Sequence, residues 1–160
     1  VETSLRLVAP RAEQKHLKLT TEIAGEVPIV LGDRRRMVQL LLNLLSNAIK
    51  FTPDGGRIEA RIARSDAGEV KLSVIDNGIG IKAGYVDRIA EPFFQVDGTL
   101  ARRHEGAGLG LTLCKMFVEL YGGSLIIASE FGEGTTVTAR FPAEIVQDAG
   151  GSALPSAADG

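Results

Sequence analysis

The sequence predicts an α+β fold, a two-layer α/β sandwich in which helices cover one face of a mixed, mostly antiparallel sheet. Alternating apolar and polar runs come in neighbouring pairs, 57–64 with 69–76 and 124–130 with 134–142, which indicates hairpins and not β-α-β units. Two long helical patterns each carry an apolar side, and a sheet face is the natural surface to cover such sides.

Composition limits the class of protein. The 160 residues are the length of one domain, and 44% hydrophobic with 24% charged residues is typical of a soluble globular chain. A net charge of −2 argues against nucleic acid as a partner. The single cysteine, Cys114, excludes an internal disulfide and fits a reducing, cytoplasmic compartment. Because the chain begins without Met, we expect a fragment of a longer parent protein, which could itself be membrane-anchored.

The first half of the chain predicts a helix over 4–16 that starts or breaks at Pro10, a strand over 17–24 and a short strand over 28–33. Asp33 is a good N-cap for the long helix that follows, and the run "TPDGG" ends that helix. The helix is amphipathic, since its apolar residues recur at helical spacing: Met37, Leu40, Leu41, Leu44, Leu45 and Ala48.

The second half predicts a hairpin around "SDAG", a short helix over 82–90 and a loop over 91–106. A second long helix over 109–123 ends at Gly122 and Gly123, and a last hairpin turns at "FGEG". The expected organisation is a helix or linker end from an upstream domain at 1–16, one domain at 17–145 and a disordered tail at 146–160. The predicted apolar side of the second long helix consists of Leu109, Leu113, Phe117 and Leu120, and we expect Cys114 beside it to be a small core residue.

A polar stripe runs along the first long helix, where Asn43, Asn47 and Lys50 follow one another at helical spacing beside the leucines. A solvated helix flank is the simpler interpretation of such a stripe. However, Asn is unfavourable inside a helix, so two of them one turn apart suggest a function. An Asn carbonyl suits Mg²⁺, and a Lys ammonium suits phosphate.

Two glycine clusters supply the other half of a candidate site. In "DNGIG", Asp76 ends a strand and could accept from an exocyclic amine, while Gly78 and Gly80 allow close approach, although a simple turn fits equally well. "GAGLGL" precedes a helix, whose N-terminus can bind an anion, yet it is neither a Walker A loop nor a Rossmann fingerprint. Together, the stripe and the clusters would enclose one adenine nucleotide.

Five ordered motifs carry a resemblance to a known family: "NLLSNAIKFTPDGG", "DNGIGI", "EPFFQVD", "GAGLGLTLCK" and "GEGTTVTARFP". From about Leu17 to Pro142, the order and spacing of these motifs resemble those of the catalytic ATP-binding domain of bacterial sensor histidine kinases. These domains share a fold with DNA gyrase, MutL and the heat-shock chaperone ATPases. The resemblance implies ATP and Mg²⁺ as ligands and catalysis of phosphoryl transfer to a protein histidine.

The resemblance also implies individual roles. Asn47 would be the Mg²⁺ ligand and Lys50 a phosphate contact, and Asp76 would hydrogen-bond the adenine amino group. Phe93 and Phe94 would anchor a mobile ATP lid, predicted over 96–107, which Arg102 and Arg103 would help a triphosphate to order. The remaining expected nucleotide contacts line the base or meet the phosphates: Gly78, Gly80, Ile81, Gly106, Ala107, Gly108, Leu109, Gly110, Leu111 and Thr135.

Asn43 separates this chain from the hydrolytic relatives, which carry a water-activating Glu at the matching position. An amide cannot act as a general base at neutral pH, so the site is expected to hold ATP without fast hydrolysis. Catalysis is therefore assigned to Asn43, Asn47 and Lys50 through positioning and charge neutralisation. The presence of Asn43 in place of that Glu also argues against a chaperone or topoisomerase role for the chain.

The expected partners follow from the same resemblance. They are a histidine-bearing dimerisation domain of the same parent, itself a homodimer, and through that domain a response regulator. The two histidines of the chain, His16 and His104, lack the surroundings of an acceptor histidine, so we expect structural or lid roles for them. The alternative is a nucleotide-sensing module of a pseudokinase, in which ATP sets a conformation and no phosphoryl group moves.

Overall fold

A computed structural model describes residues 1–25, 29–91, 94 and 109–147. The described elements follow the predicted order, with a short 3-10 turn at Ala143–Ile145 before the last strand. They are α1 (Glu2–Gln14), β1 (Lys18–Ala24), β2 (Ile29–Val30), α2 (Arg34–Phe51), β3 (Arg57–Arg64), β4 (Val70–Asp76), α3 (Ala83–Val86), α4 (Gly110–Leu120), β5 (Ser124–Glu130), β6 (Gly134–Phe141) and β7 (Val146–Gln147).

Five of these strands form one mixed sheet in the order β1-β3-β4-β6-β5. β1 runs parallel to β3, and the other three pairings are antiparallel. The predicted fold class is thus confirmed, together with both hairpins. The short strand β2 lies outside this sheet, because it pairs with β7 in a separate two-stranded ribbon. That ribbon includes Val146 and Gln147, which lie just beyond the domain boundary predicted at 145.

The core lies between the sheet and the helices α1, α2 and α4. The apolar residues of the middle strands that face the helices are buried, and so is the leucine side of α2. Met37 is partly buried and packs against this cluster. Within the described residues, no helix combines the length and apolar character needed to cross a membrane.

The predicted buried side of α4 is wrong at Leu113 and Leu120, whereas Phe117 packs against the core as expected. Leu113 and Leu120 are 55% and 70% exposed, whereas Thr112, Cys114 and Val118 face the core. Apolar residues occupy both sides of this helix, so the periodicity could not identify the side that packs on α2. Burial of Cys114 agrees with its expected role as a small core residue, and it raises the pKa of the thiol to about 11.

Helix α1 runs through Pro10 without a break, contrary to the predicted interruption. Its side with Ser4, Val8 and Ala12 is buried in the same core, against α2. The helix ends in a Schellman turn, in which the amide of His16 bonds to the Glu13 carbonyl and that of Leu17 to the Ala12 carbonyl. His16 takes the left-handed position of this turn, with φ 51°.

Candidate nucleotide-binding site

The polar stripe of α2 is half-buried at the border of the core. Asp33 caps the helix as predicted, since its Oδ1 accepts from the amides of Arg35 and Arg36 at 2.8 and 3.4 Å. The Asn43 side chain accepts from Gln39 Nε2 at 3.0 Å, and its amide partly opposes the rise that burial causes in the pKa of Cys114 on α4. The Cys114 thiol itself donates to the Leu40 carbonyl of α2 at 3.9 Å, so the two long helices are in contact beside Asn43.

Asn47 faces the beginning of α4. A Cβ placed on Gly110 would lie 3.9 Å from Asn47 Nδ2, so the amide of Asn47 and the N-terminus of α4 border the same space. The first-turn amides of α4, which begin at Gly110 and Leu111, have no carbonyl partners within the helix. Leu109 occupies the N-cap, where its hydrocarbon side chain cannot accept from them. This end of α4 can therefore bind an anion.

Lys50 lies one turn after Asn47, and its Nζ is 5.0 Å from the centre of the Phe51 ring. Partial burial lowers the pKa of Lys50. A phosphate beside the ammonium would offset this desolvation, because an opposite charge favours the charged form. Within the described part of the chain, neither the Lys50 ammonium nor the Asn47 amide has a hydrogen-bond partner.

The donor set fits a magnesium ion that is shared with a ligand and does not fit a protein-only metal site. Among the described residues, no group of three His, Cys, Asp or Glu side chains could hold a metal. Mg²⁺ usually takes one or two protein oxygens together with substrate phosphates and water. The Asn47 carbonyl beside the anion-binding end of α4 matches that requirement.

Asp76 lies at the end of β4 on the side of the sheet that faces the helices, opposite Ile58 on β3 and Thr135 on β6. Its Oδ1 accepts from the Gly78 amide at 2.8 Å. Burial raises the pKa of the carboxyl, while hydrogen bonds from the backbone amides of Gly78 and Thr135 partly oppose that rise. A half-buried carboxylate with remaining acceptor capacity is suited to an amine donor.

The glycine segment 78–81 is held from two directions. On one side the Ile79 amide donates to the Phe51 carbonyl at 3.1 Å, and on the other the Ile79 carbonyl accepts from the Gly132 amide at 2.8 Å. A Cβ on Gly78 would lie 2.5 Å from the Phe51 carbonyl oxygen. A Cβ on Gly80, which has φ 65°, would lie 1.9 Å from the Glu130 carbonyl oxygen. Both glycines are therefore required by close backbone approach.

Ser129 is a further candidate site residue, which sequence reasoning missed. Its hydroxyl accepts from the Ile81 amide at 2.8 Å and donates to the Gly134 carbonyl at 2.9 Å. It also lies 2.8 Å from the Thr135 hydroxyl, which is directly across the β5–β6 pair. The register of the predicted hairpin contained this signal, because it places Ser129 beside Thr135.

Phe94 packs on the α3 region, with its ring 4.4 Å from the Arg88 guanidinium and 5.9 Å from the Tyr85 ring. The Thr112 hydroxyl on α4 donates to the Ala90 carbonyl at 3.1 Å. These contacts tie the residues on both sides of the predicted lid to the domain. The predicted lid itself and several expected site residues lie outside the described residues: Phe93, Arg102, Arg103, His104, Gly106, Ala107 and Gly108.

Comparison with known proteins identifies the same class of domain. A sequence model described as "Histidine kinase-, DNA gyrase B-, and HSP90-like ATPase" matches residues 32–145. A sensor-like histidine kinase of Rhizobium meliloti is 39% identical over 153 residues, which are 96% of this chain and 28% of that protein. The chain thus spans about a quarter of this relative's length.

Solved structures agree in fold. Full-length ShkA in complex with AMPPNP superimposes with a TM-score of 0.78 at 32% identity, covering 88% of this chain and 28% of ShkA. The histidine kinase ThkA in complex with the response regulator TrrA gives a TM-score of 0.72 at 25% identity, covering 88% of this chain and 38% of that one.

Proposed function

The chain belongs to the family of histidine kinase-, DNA gyrase B- and HSP90-like ATPases, and we propose that it binds Mg²⁺-ATP and donates the γ-phosphoryl group to a protein histidine. The observation that carries this proposal is the convergence of two sites on the last turns of α2. Asn47 borders the anion-binding end of α4, and Phe51, directly after Lys50, holds the glycine segment beside Asp76. One nucleotide can therefore contact both sites.

In this proposal Asp76 accepts from the adenine amino group, while Gly80, Ile81 and Thr135 line the base. Lys50 and the first amides of α4 neutralise the phosphates, and the Asn47 carbonyl is the protein ligand for Mg²⁺. Bound Mg²⁺ would supply charge neutralisation on the phosphate oxygens. Asn43 leaves the site without a carboxylate at that position, which favours transfer over rapid hydrolysis.

The acceptor would come from a separate helical domain. The side of α4 that faces away from the core exposes Leu113, Met116 and Leu120 by 55%, 61% and 70%. An apolar surface of this kind, on the helix whose N-terminus receives the phosphates, is suited to packing against an amphipathic helix. We propose the histidine-bearing dimerisation domain of a homodimeric parent as that partner, with a response regulator as the next acceptor.

The test is incubation of the chain with γ-labelled ATP, with and without a histidine-bearing dimerisation domain of a sensor kinase. We expect alkali-stable, acid-labile label on the added domain and none on this chain. Leu120→Ala should reduce the transfer while nucleotide affinity stays unchanged, because Leu120 is exposed and distant from the Asp76 end.

Three outcomes separate the alternatives. If ATP does not bind, the nucleotide site is wrong. If ATP binds and changes the conformation but no active dimerisation domain receives label, the nucleotide-sensing interpretation is favoured. Label on His16 of this chain would contradict the assignment of that histidine to a structural role.

A further inference from the structure

Among the described residues without a role assigned above, Lys15 has the most concentrated set of side-chain hydrogen bonds. Its Nζ donates to the carbonyls of Ile49 at 2.8 Å, Lys50 at 3.4 Å and Thr52. These carbonyls belong to the C-terminal end of α2, where the last carbonyls of a helix have no amide partner within the helix. A cation at this position also interacts favourably with the negative end of the helix dipole.

The backbone around Lys15 is itself held in place. Lys15 is the C-cap of α1, directly before the left-handed residue of the Schellman turn. Its carbonyl accepts from the Gly55 amide at 2.9 Å, and the Lys18 amide donates to the Gly56 carbonyl at 2.9 Å. The ammonium therefore reaches α2 from a turn that is fixed to the "TPDGG" loop by two backbone hydrogen bonds.

The end of α2 that Lys15 contacts supports both parts of the nucleotide site. Lys50 is the expected phosphate contact, and the Phe51 carbonyl holds the Ile79 amide of the glycine segment. We propose that Lys15 is a positioning residue for the nucleotide site, and that it couples α1 to the adenine and phosphate contacts through the carbonyls of α2. This inference rests on the proposed function, and it adds a residue outside the 32–145 segment that the family model matches.

Two variants and a matched control test the proposal. Lys15→Met removes the three donors and keeps a chain of similar length, while Lys15→Arg keeps a cationic donor. Arg11→Met is the control, because Arg11 also reaches from α1 to α2, at the Ser46 hydroxyl 3.5 Å away, but does not touch the end of the helix.

The first measurement is hydrogen exchange at the Ile79 amide in the nucleotide-free protein, relative to the Leu72 amide in β4. We expect Lys15→Met to raise this ratio about tenfold, as loss of charge-assisted hydrogen bonds predicts, with partial recovery in Lys15→Arg. Arg11→Met should leave the ratio within about twofold. A general loss of stability would accelerate both amides, so the ratio separates positioning from a purely structural role.

The second measurement is the affinity for ATP at a temperature where each variant is folded. Lys15→Met should weaken binding about tenfold, and Arg11→Met should not. An unchanged exchange ratio in Lys15→Met, or an equal change in Arg11→Met, overturns the inference. If the wild-type chain fails to bind ATP, the proposed function is wrong, while the exchange ratio still tests Lys15. If Lys15→Met does not fold, the same exchange ratio is compared between Lys15→Arg and wild type. A ratio above the wild-type value supports the inference, and a ratio equal to it overturns the inference.

Discussion

The backbone amide of Ile79 donates to the carbonyl of Phe51 at 3.1 Å, and this bond connects the glycine segment after β4 to the last turn of α2. Lys50 lies directly before one partner, and Asp76 lies three residues before the other. This hydrogen bond therefore positions both the phosphate contact and the adenine contact of the proposed nucleotide site. A change that displaces the glycine segment should therefore weaken nucleotide binding even where no nucleotide contact is removed.

Gly80→Ala should test this positioning. Gly80 has φ 65°, and the added Cβ would lie 1.9 Å from the Glu130 carbonyl oxygen, so the segment must move. The left-handed conformation alone costs about 1–2 kcal/mol for an L-residue, and the overlap adds to it. We expect a lower melting temperature and at least about tenfold weaker ATP binding.

Gly84→Ala is the matched control, since nothing lies within 4 Å of a Cβ at Gly84 in α3. Alanine favours helix over glycine by about 1 kcal/mol, so this variant should be neutral or slightly more stable. Equal losses of ATP affinity in both variants would show that the segment has no special role.

Asp76→Asn should change how stability depends on pH. Because burial raises the pKa of Asp76 in the folded protein, the folded state binds more protons than the unfolded state. Its contribution to the free energy of unfolding is therefore largest below about pH 3.9, the ordinary Asp pKa, and declines as the pH rises through the raised folded value. We expect the variant to gain stability relative to wild type as the pH rises from 3 to 7, measured by urea unfolding.

The same substitution should weaken ATP binding at pH 7. Replacing the carboxylate by an amide removes a charge-assisted acceptor for the adenine amine, worth roughly 1–3 kcal/mol. Calorimetry with ATP and GTP checks this, since guanine carries an oxygen where adenine has its 6-amino group, so GTP should bind weakly to both proteins. Equal affinity of the wild-type chain for GTP and ATP would contradict the role of Asp76.

Asn47→Ala and Lys50→Met should separate metal from phosphate contacts. Asn47→Ala is expected to lose most of the Mg²⁺-dependent part of ATP binding, because it removes the carbonyl ligand. Lys50→Met should weaken ATP and ADP binding with or without Mg²⁺, yet leave adenosine binding within about twofold. Titrations of the three ligands with and without Mg²⁺ measure this, and an identical Mg²⁺ effect in wild type and Asn47→Ala would refute the ligand role.

His16→Gly should stabilise the protein. His16 is exposed and has φ 51°, and glycine is preferred at this position of a Schellman turn. The gain in the free energy of unfolding should be up to about 1 kcal/mol. In the reciprocal experiment, Gly122→Ala at the equivalent position after α4, where φ is 73°, should lose a similar amount. Thermal unfolding of both variants gives the comparison, and a loss in His16→Gly would show that the imidazole has another role.

The sequence alone predicted the fold class, the hairpins, the N-cap at Asp33 and the buried side of α2. These features depend on local signals, namely alternation, helical spacing and capping chemistry, which act within a few residues of one another. The polar stripe and the "DNGIG" segment were also recognisable, because their residue types are costly or unusual at those positions. Their nucleotide roles remain proposals.

Only the tertiary structure could show which side of α4 is buried, since both sides are apolar and the choice depends on the surface of α2. The same holds for Lys15, whose partners are far away in the chain, and for the bond between Ser129 and the Ile81 amide, since the hairpin register places Ser129 only beside Thr135. A lysine at a helix end carries no local signal of such a contact. The importance of both residues arises when packing brings their donors and acceptors to backbone groups that would otherwise be unpaired.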